Sequence, residues 1–251
     1  MTTWVLLRGL MREARHWGEF PRLFQNAMAA EHLVALDFPG NGSLHAQHSA
    51  TSVAEMANYC HAQLARLGHA PPYRVLALSL GAMAAVAWSA QYPAELERLV
   101  LINTSLAPYS PFYHRLRPAN YAALLGLLLY GSAARRESLI LQLTSALKSH
   151  SEHRQTILDQ WIAYGQEFPT TRANILRQLQ AATCYRAPST APPAPVLLLA
   201  GQHDRLVNVK CSLALARHWR CAIRSHPDAG HDLPLDDGYW VTQQVKEWID
   251  S

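Results

Sequence analysis

The sequence predicts an α/β fold in which helices cover both faces of a doubly wound, mostly parallel sheet. Two observations indicate this fold. Several short runs are apolar almost throughout rather than alternating, which is typical of strands buried on both faces. Longer helical patterns separate these runs, and this alternation favours parallel pairing. The length of 251 residues, with 49% hydrophobic residues, fits one such domain with a sizeable core.

The elements follow one another in a regular order that breaks once. The candidate strands lie at residues 4–8, 33–37, 74–78, 99–103, 196–201 and 222–226. The candidate helices between them include residues 52–67, 81–91 and 212–218. After residue 103 come only helical patterns, at 117–130, 134–148, 152–165 and 171–183, and then a proline-rich stretch at 187–195. We therefore expect a core of residues 1–104 and 187–251, interrupted at residues 105–186 by what we call the helical insertion.

Composition argues against several classes of protein. The longest Leu-rich run, residues 122–130, is about half of the roughly 20 residues that a membrane span needs. Arg8 interrupts the first apolar stretch, so we expect no signal peptide and a cytoplasmic protein. A net charge of +4 is too small to indicate nucleic-acid binding. The four cysteines are scattered without zinc-site spacing, so we expect neither a metal nor a cofactor.

Ser79 is the candidate nucleophile. It directly follows the strand at 74–78 and precedes a helical pattern, with the small residues Ala77 and Gly81 two positions away on either side. Small neighbours are what a tight strand-to-helix turn needs if it is to hold a serine strained, with its hydroxyl projecting. An ordinary strand-to-helix turn would have the same residue pattern. Residues later in the chain must therefore show whether Ser79 belongs to a catalytic site.

Two polar residues follow later strands. Asp204 comes soon after the strand at 196–201, and His231 lies in the loop after the strand at 222–226. Parallel strands place their carboxyl ends at one edge of the sheet, where ligands bind. Ser79, Asp204 and His231 can therefore meet as nucleophile, orienting acid and general base.

Four motifs in this order resemble the α/β-hydrolase fold superfamily, over nearly the whole chain. Arg8-Gly9-Leu10, followed by Trp17, resembles the family's His-Gly loop, and residues 37–43 (DFPGNGS) resemble its Asp-x-Pro-Gly-x-Gly-x-Ser loop. The turn around Ser79 and the Ser-Asp-His order complete the resemblance. It implies that the helical insertion is a lid, and that the backbone N–H groups of Leu10 and Leu80 form an oxyanion hole.

Two other carboxylates compete for the role of the acid. Asp232 directly follows His231, but the side chains of adjacent residues seldom meet in the required geometry. Asp37 lies in the Pro-Gly loop, where stabilising a turn is the commoner role. Some relatives carry the acid after the strand that corresponds to residues 99–103, but this chain has Asn103-Thr104-Ser105 there.

The chain also departs from the family pattern. Ala77 and Arg8 stand where the family usually has Gly and His. The first strand begins at residue 4, which leaves no residues for the usual antiparallel hairpin. We therefore expect about six parallel strands without an antiparallel edge, and the strand at 33–37 at an edge of the sheet. Because sheet edges are usually protected or paired, the protein is expected to be a monomer or a homodimer joined there.

The resemblance implies a serine hydrolase that cleaves a carboxylic ester or thioester through an acyl-enzyme on Ser79. A serine at this position excludes the dehalogenases and epoxide hydrolases of the fold, which use an aspartate nucleophile. Acyl transfer or cofactor-free haloperoxidase-like chemistry on the same triad remains an alternative. A non-catalytic ligand-binding protein on the same scaffold is another.

The candidate substrate-binding residues are Arg8, Trp17, Tyr113, Tyr121 and Trp161. Arg8 could recognise a carboxylate or phosphate beside the oxyanion loop, or it could pair with a structural carboxylate. The aromatic residues could line an acyl pocket, or they could only hold the insertion helices together and onto the core.

The helical insertion carries nine Lys or Arg and four Asp or Glu, a net charge of +5, which leaves −1 for the rest of the chain. Its basic residues are Arg115, Arg117, Arg135, Arg136, Lys148, Arg154, Arg172, Arg177 and Arg186. They could attract a small-molecule substrate on an acidic carrier, either an acyl carrier protein or CoA. They could equally form an ordinary solvated helical surface.

Overall fold

A six-stranded parallel sheet in the order β2-β1-β3-β4-β5-β6 forms the centre of the computed structural model, which describes residues 3–30, 32–130, 132–147 and 151–251. The strands are β1 (Thr3–Leu7), β2 (His32–Leu36), β3 (Tyr73–Leu78), β4 (Leu96–Ile102), β5 (Val196–Gly201) and β6 (Ala222–His226). Every pair of neighbouring strands is parallel. The predicted fold class is therefore confirmed.

The strand bounds differ most from the prediction at β4. This strand begins at Leu96, three residues earlier than expected, because Leu96 pairs with Tyr73 and Arg98 with Arg74. Its residue Glu97 pairs across the sheet, since Arg74 Nη2 lies 2.8 Å from Glu97 Oε1. Strand β2 lies at an edge, as predicted. Its pairing with a second copy of the chain stays a prediction.

Helices cover both faces of the sheet because successive strand residues point to opposite sides. One face packs against α2 (Val53–Arg66), α3 (Leu80–Gln91) and α9 (Lys210–Trp219). The other packs against α1 (Phe20–Met28) and α11 (Gly238–Ile249). In β1, for example, Val5 and Leu7 belong to the first core cluster and Trp4 and Leu6 to the second. A short helix, α10 (Leu233–Asp236), precedes α11.

The helices of the insertion lie between β4 and β5. They are α4 (Phe112–Arg115), α5 (Tyr121–Tyr130), α6 (Ala133–Thr144), α7 (Glu152–Glu167) and α8 (Arg172–Cys184). Helix α5 begins later than predicted because residues 118–120, starting at Pro118, form a separate 3₁₀ turn. The prediction of helix to residue 148 includes Lys148, which lies outside the described residues. Leu141, Ile157 and Trp161 form a small apolar cluster within the insertion.

Across the described ranges, no helix is both long and apolar enough to cross a membrane.

A substitution at Gly81 would test how closely α3 approaches the end of β1. A Cβ at this position would lie 2.5 Å from the Leu7 carbonyl oxygen and 2.6 Å from that of Arg8, and backbone atoms cannot move aside easily. We expect Gly81→Ala to lower the free energy of unfolding by about 1–3 kcal/mol, measured by urea denaturation.

Gly126→Ala is the matched control, because no atom lies within 4 Å of a Cβ there and α5 should gain up to about 1 kcal/mol from the better helix former. Equal unfolding midpoints for the two variants would contradict the close approach.

Candidate active site

Ser79 occupies the sharp turn between β3 and α3. Its backbone has φ 56° and ψ −114°, a region that non-glycine residues adopt at a cost of about 1–3 kcal/mol. Ala77 is fully buried, and Gly81 lies against the carbonyl groups of Leu7 and Arg8. The close approach of these elements explains why the residues beside the turn must be small, as the sequence suggested.

Asp204 and His231 meet at the carboxyl edge of the sheet. The His231 Nδ1 and the Asp204 Oδ2 are 2.6 Å apart, and both side chains are buried. The other carboxylate oxygen, Oδ1, accepts backbone N–H bonds from Leu206 and Val207, each at 2.8 Å. Because the carboxylate faces Nδ1, the ring carries its proton there, which leaves Nε2 as the basic nitrogen. These contacts fix the orientation of the imidazole.

Asn103 links the ends of β4 and β5 to the His231 loop, and the sequence did not single it out as a site residue. It follows β4 with a left-handed φ of 46° and is 3% exposed. Its Oδ1 accepts from the Gly201 N–H at 3.0 Å, and its Nδ2 donates to the carbonyl oxygens of Gly230 at 3.0 Å and His231 at 2.7 Å. An Asn at the end of a predicted strand was the available signal, since Asn tolerates this conformation.

The structure places Arg8 in a buried ion pair. Its guanidinium is buried and pairs with Asp232 through Nη1–Oδ1 at 3.0 Å and Nη2–Oδ2 at 2.5 Å. Both terminal nitrogens thus donate to a carboxylate of the chain, which is the pairing that the sequence left open as the alternative to substrate binding. The pair ties the residue before Gly9 to the residue after His231. Trp17, 3% exposed, lies beneath the guanidinium at 4.7 Å and stacks on Phe20, so it also has a packing role.

The three aromatic candidates of the insertion differ in their surroundings. Tyr113 is 49% exposed and Tyr121 is 41% exposed. Trp161 is buried in the apolar cluster of the insertion and lies 4.7 Å from the Arg12 guanidinium. Within the described part of the chain, these residues pack the insertion or face solvent, and the aromatic composition did not reveal which.

The β1–α1 loop (residues 8–19) passes directly beside Ser79. A Cβ on Gly9 would lie 3.3 Å from the Ser79 Cβ, so the backbone that leads into Leu10 borders the serine side chain. Leu80 is the first residue of α3, where backbone N–H groups have no partner within the helix. The resemblance implies that the backbone N–H groups of Leu10 and Leu80 form the oxyanion hole. Both residues therefore belong to segments that flank Ser79.

The His231 loop is also fastened to the helical insertion. The Asp232 N–H donates to the Thr144 carbonyl at 2.7 Å. The Asp236 carboxylate accepts the N–H of Gly230 at 2.7 Å and that of Ala146. Burial raises the pKa of Asp236 above its ordinary value, and these hydrogen bonds partly offset that effect. The C-terminal end of α6 and the His231 loop thus share one set of polar contacts.

Asp37 has the turn-stabilising role expected for its loop. Its carboxylate accepts the N–H of Ala14 at 2.6 Å and that of Ser43 at 3.3 Å. Burial raises its pKa, while these hydrogen bonds lower it. Asp37 therefore links the β1–α1 loop to the β2–α2 loop (residues 37–52).

A small cavity of about 20 Å³ lies between the insertion and the core, bordered by Met11, His16, Glu137, Tyr164 and Phe168 among others. Burial, together with the nearby Arg12, holds the pKa of His16 well below its ordinary value. Among the described residues, no group of three or more His, Cys, Asp or Glu side chains is placed to hold a metal ion.

The comparison with known protein families identifies a match over most of the chain. The chain matches the sequence profile of the alpha/beta hydrolase family over residues 4–243. Similar solved structures include a thermophilic esterase from Thermogutta terrifontis, with 21% identity, 100% of this chain and 90% of that chain covered, and a TM-score of 0.76. No curated protein matches the chain.

Two further structures are similar at 17% identity and a TM-score of 0.79, each covering 100% of this chain. One is a 2-hydroxy-6-oxo-6-phenylhexa-2,4-dienoate hydrolase from Rhodococcus sp. strain RHA1, of which 91% is covered. The other is an enol-lactonase from Burkholderia xenovorans LB400, of which 92% is covered. At these identities the likeness shows a shared fold.

The Arg8–Asp232 pair can be tested by a double-mutant cycle. Arg8→Met or Asp232→Leu alone leaves a buried charge without its partner and should cost about 3–5 kcal/mol of stability. The double variant removes both charges and should be more stable than either single variant. Urea denaturation of the four proteins measures this coupling, and additive losses would contradict it.

Proposed function

The chain belongs to the alpha/beta hydrolase family, and from this premise we propose that it is a serine hydrolase that cleaves a carboxylic ester or thioester. One observation carries the proposal. The 2.6 Å contact between His231 and Asp204 orients a basic nitrogen at the sheet edge where the strained turn presents Ser79. A nucleophile, a base and an orienting acid are the parts that acyl transfer to a serine requires.

The reaction proceeds in two halves. The Ser79 oxygen attacks the substrate carbonyl carbon while His231 Nε2 takes the hydroxyl proton. The tetrahedral intermediate collapses, His231 gives that proton to the departing alcohol or thiol, and an ester forms on Ser79. Water then attacks this ester with His231 again as base, which releases the acid and restores the serine hydroxyl. Asp204 stabilises the imidazolium in both halves without becoming protonated.

Two backbone amides are proposed to stabilise the oxyanion. The proximity of Gly9 to Ser79 supports a role for the Leu10 N–H, and the position of Leu80 at the start of α3 supports a role for its N–H. Donors fixed before the reaction starts stabilise developing charge without reorganising, and loss of one typically costs about 10²–10³ in rate.

An acidic carrier, CoA or acyl carrier protein, is the proposed vehicle of the acyl group. Arg135, Arg172 and Arg186 are exposed on the insertion, which supports this proposal. Other basic residues serve the structure instead, since Arg115 donates to the Ala182 carbonyl and Arg177 to the Ser49 carbonyl. The four free cysteines support a reducing, cytoplasmic location.

Substitutions in the triad test the proposed activity. On a panel of p-nitrophenyl esters and thioesters of increasing acyl length, Ser79→Ala should lower kcat/KM by at least about 10⁴-fold, and Asp204→Asn by about 10³–10⁴-fold. Asp228→Asn, at an exposed acid three residues before His231, is the matched control and should retain full activity. Turnover by Ser79→Ala at the wild-type rate would contradict the proposal.

Salt dependence tests the proposed carrier. Raising the ionic strength from about 20 mM to about 500 mM should lower kcat/KM on the carrier-bound ester by about 10-fold or more, because screening removes long-range attraction. A neutral ester with the same acyl group should be unaffected. Arg135→Glu combined with Arg172→Glu should reduce the salt effect. Equal salt profiles for the two substrates would rule out steering by the insertion.

A further inference from the structure

Gln178, on insertion helix α8, contacts the loop that is proposed to hold the oxyanion. Its side chain is 1% exposed, and its Oε1 accepts the Met11 N–H at 2.9 Å. Met11 directly follows Leu10 and has a φ of 61°, a left-handed conformation that non-glycine residues rarely adopt. Such a conformation persists where surrounding contacts hold it, and Gln178 supplies a contact from outside the loop.

The other end of the Gln178 amide is bonded as well. Its Nε2 donates to Asn41 Oδ1 at 2.9 Å and to Ser49 Oγ at 3.0 Å, while the Ser49 hydroxyl donates to the Pro39 carbonyl at 2.8 Å. The reversed amide would set its NH₂ group against the Met11 N–H and its oxygen against two oxygen atoms. The surrounding groups therefore fix which end faces Met11.

Helix α8 lies close against the β2–α2 loop one turn earlier. Asn174 accepts the Ser49 N–H at 2.9 Å and donates to the Gln47 carbonyl at 2.9 Å. Gly40 lies beneath this contact with a φ of 91°, and a Cβ there would overlap Ser49 Oγ and approach Asn174 Nδ2 to 2.8 Å. Asn174 thus fastens α8 to one loop, whereas Gln178 spans from that loop to the β1–α1 loop.

We propose that Gln178 is a positioning residue that couples the helical insertion to the oxyanion hole. By holding the Met11 amide, it fixes the adjoining peptide and so the direction in which the Leu10 N–H points beside Ser79. Displacement of α8 would withdraw this acceptor and release the loop, so α8 must stay in place during the chemical step. This inference rests on the proposed function, in which Leu10 is an oxyanion donor.

Two variants separate positioning from general packing. Gln178→Met keeps the length of the side chain but removes all three hydrogen bonds, including the one to Met11. Asn174→Leu removes bonds between the same helix and the β2–α2 loop and leaves Met11 untouched. Thermal unfolding and circular dichroism establish that both variants fold and how much stability each loses.

The kinetic arm measures ester hydrolysis and inhibition by a trifluoromethyl ketone, whose adduct places an oxyanion in the hole. Gln178→Met should lower kcat by about 10- to 100-fold with KM nearly unchanged, since a misdirected donor costs less than a deleted one. Affinity for the ketone should fall by a similar factor. Asn174→Leu should keep both within about 3-fold. Equal kinetic losses in the two variants, or unchanged ketone affinity in Gln178→Met, would overturn the proposal.

An exchange arm distinguishes this inference from the proposed function. Hydrogen–deuterium exchange of peptides covering residues 8–12 should speed up at least about 10-fold in Gln178→Met and not in Asn174→Leu, because a released amide opens more often. If the wild-type protein hydrolyses no ester and captures no ketone, the proposed function fails, while the exchange result still tests the coupling. If exchange is the same in Gln178→Met and wild type, the coupling is wrong whatever the activity.

Discussion

The parallel sheet is the constraint on which the candidate active site depends. All six strands run in the same direction, so the carboxyl end of each opens at one edge. Strands β3, β5 and β6 end at that edge, and the segments that follow them carry Ser79, Asp204 and His231. Residues that are far apart in the sequence therefore lie at the same edge. Apolar residues on both faces of the strands bury the sheet between helices, which leaves this edge as the place where polar residues can gather.

Buried polar contacts then fix the positions of the loops at this edge of the sheet. Asn103 ties the ends of β4 and β5 to the His231 loop, and the Arg8–Asp232 pair ties that loop to the one beside Ser79. Under our proposal, Gln178 extends the same arrangement into the helical insertion. Each contact satisfies groups that would be costly to bury alone, so displacement of one loop weakens the hold on its neighbours.

The sequence predicts those features that depend on residues close together in the chain. Apolar runs predict the strands, and the small residues around Ser79 predict its turn. The partner of Arg8 lies 224 positions away, and no local pattern distinguishes pairing with Asp232 from substrate binding. Aromatic composition suggested a pocket lining but does not specify the rotation of a helix, and Tyr113 faces solvent. Gln178 has no local signal, because its role arises only when α8 packs on two loops.

The central claim is that Ser79 is the nucleophile of this fold. The most direct measurement is treatment of the folded protein with a fluorophosphonate probe, followed by intact-mass analysis and peptide mapping of the adduct. Our account predicts a single adduct, located on Ser79, that fails to form after heat denaturation or in Ser79→Ala. The absence of an adduct on Ser79 in folded protein, or a single adduct on a different serine, would contradict it.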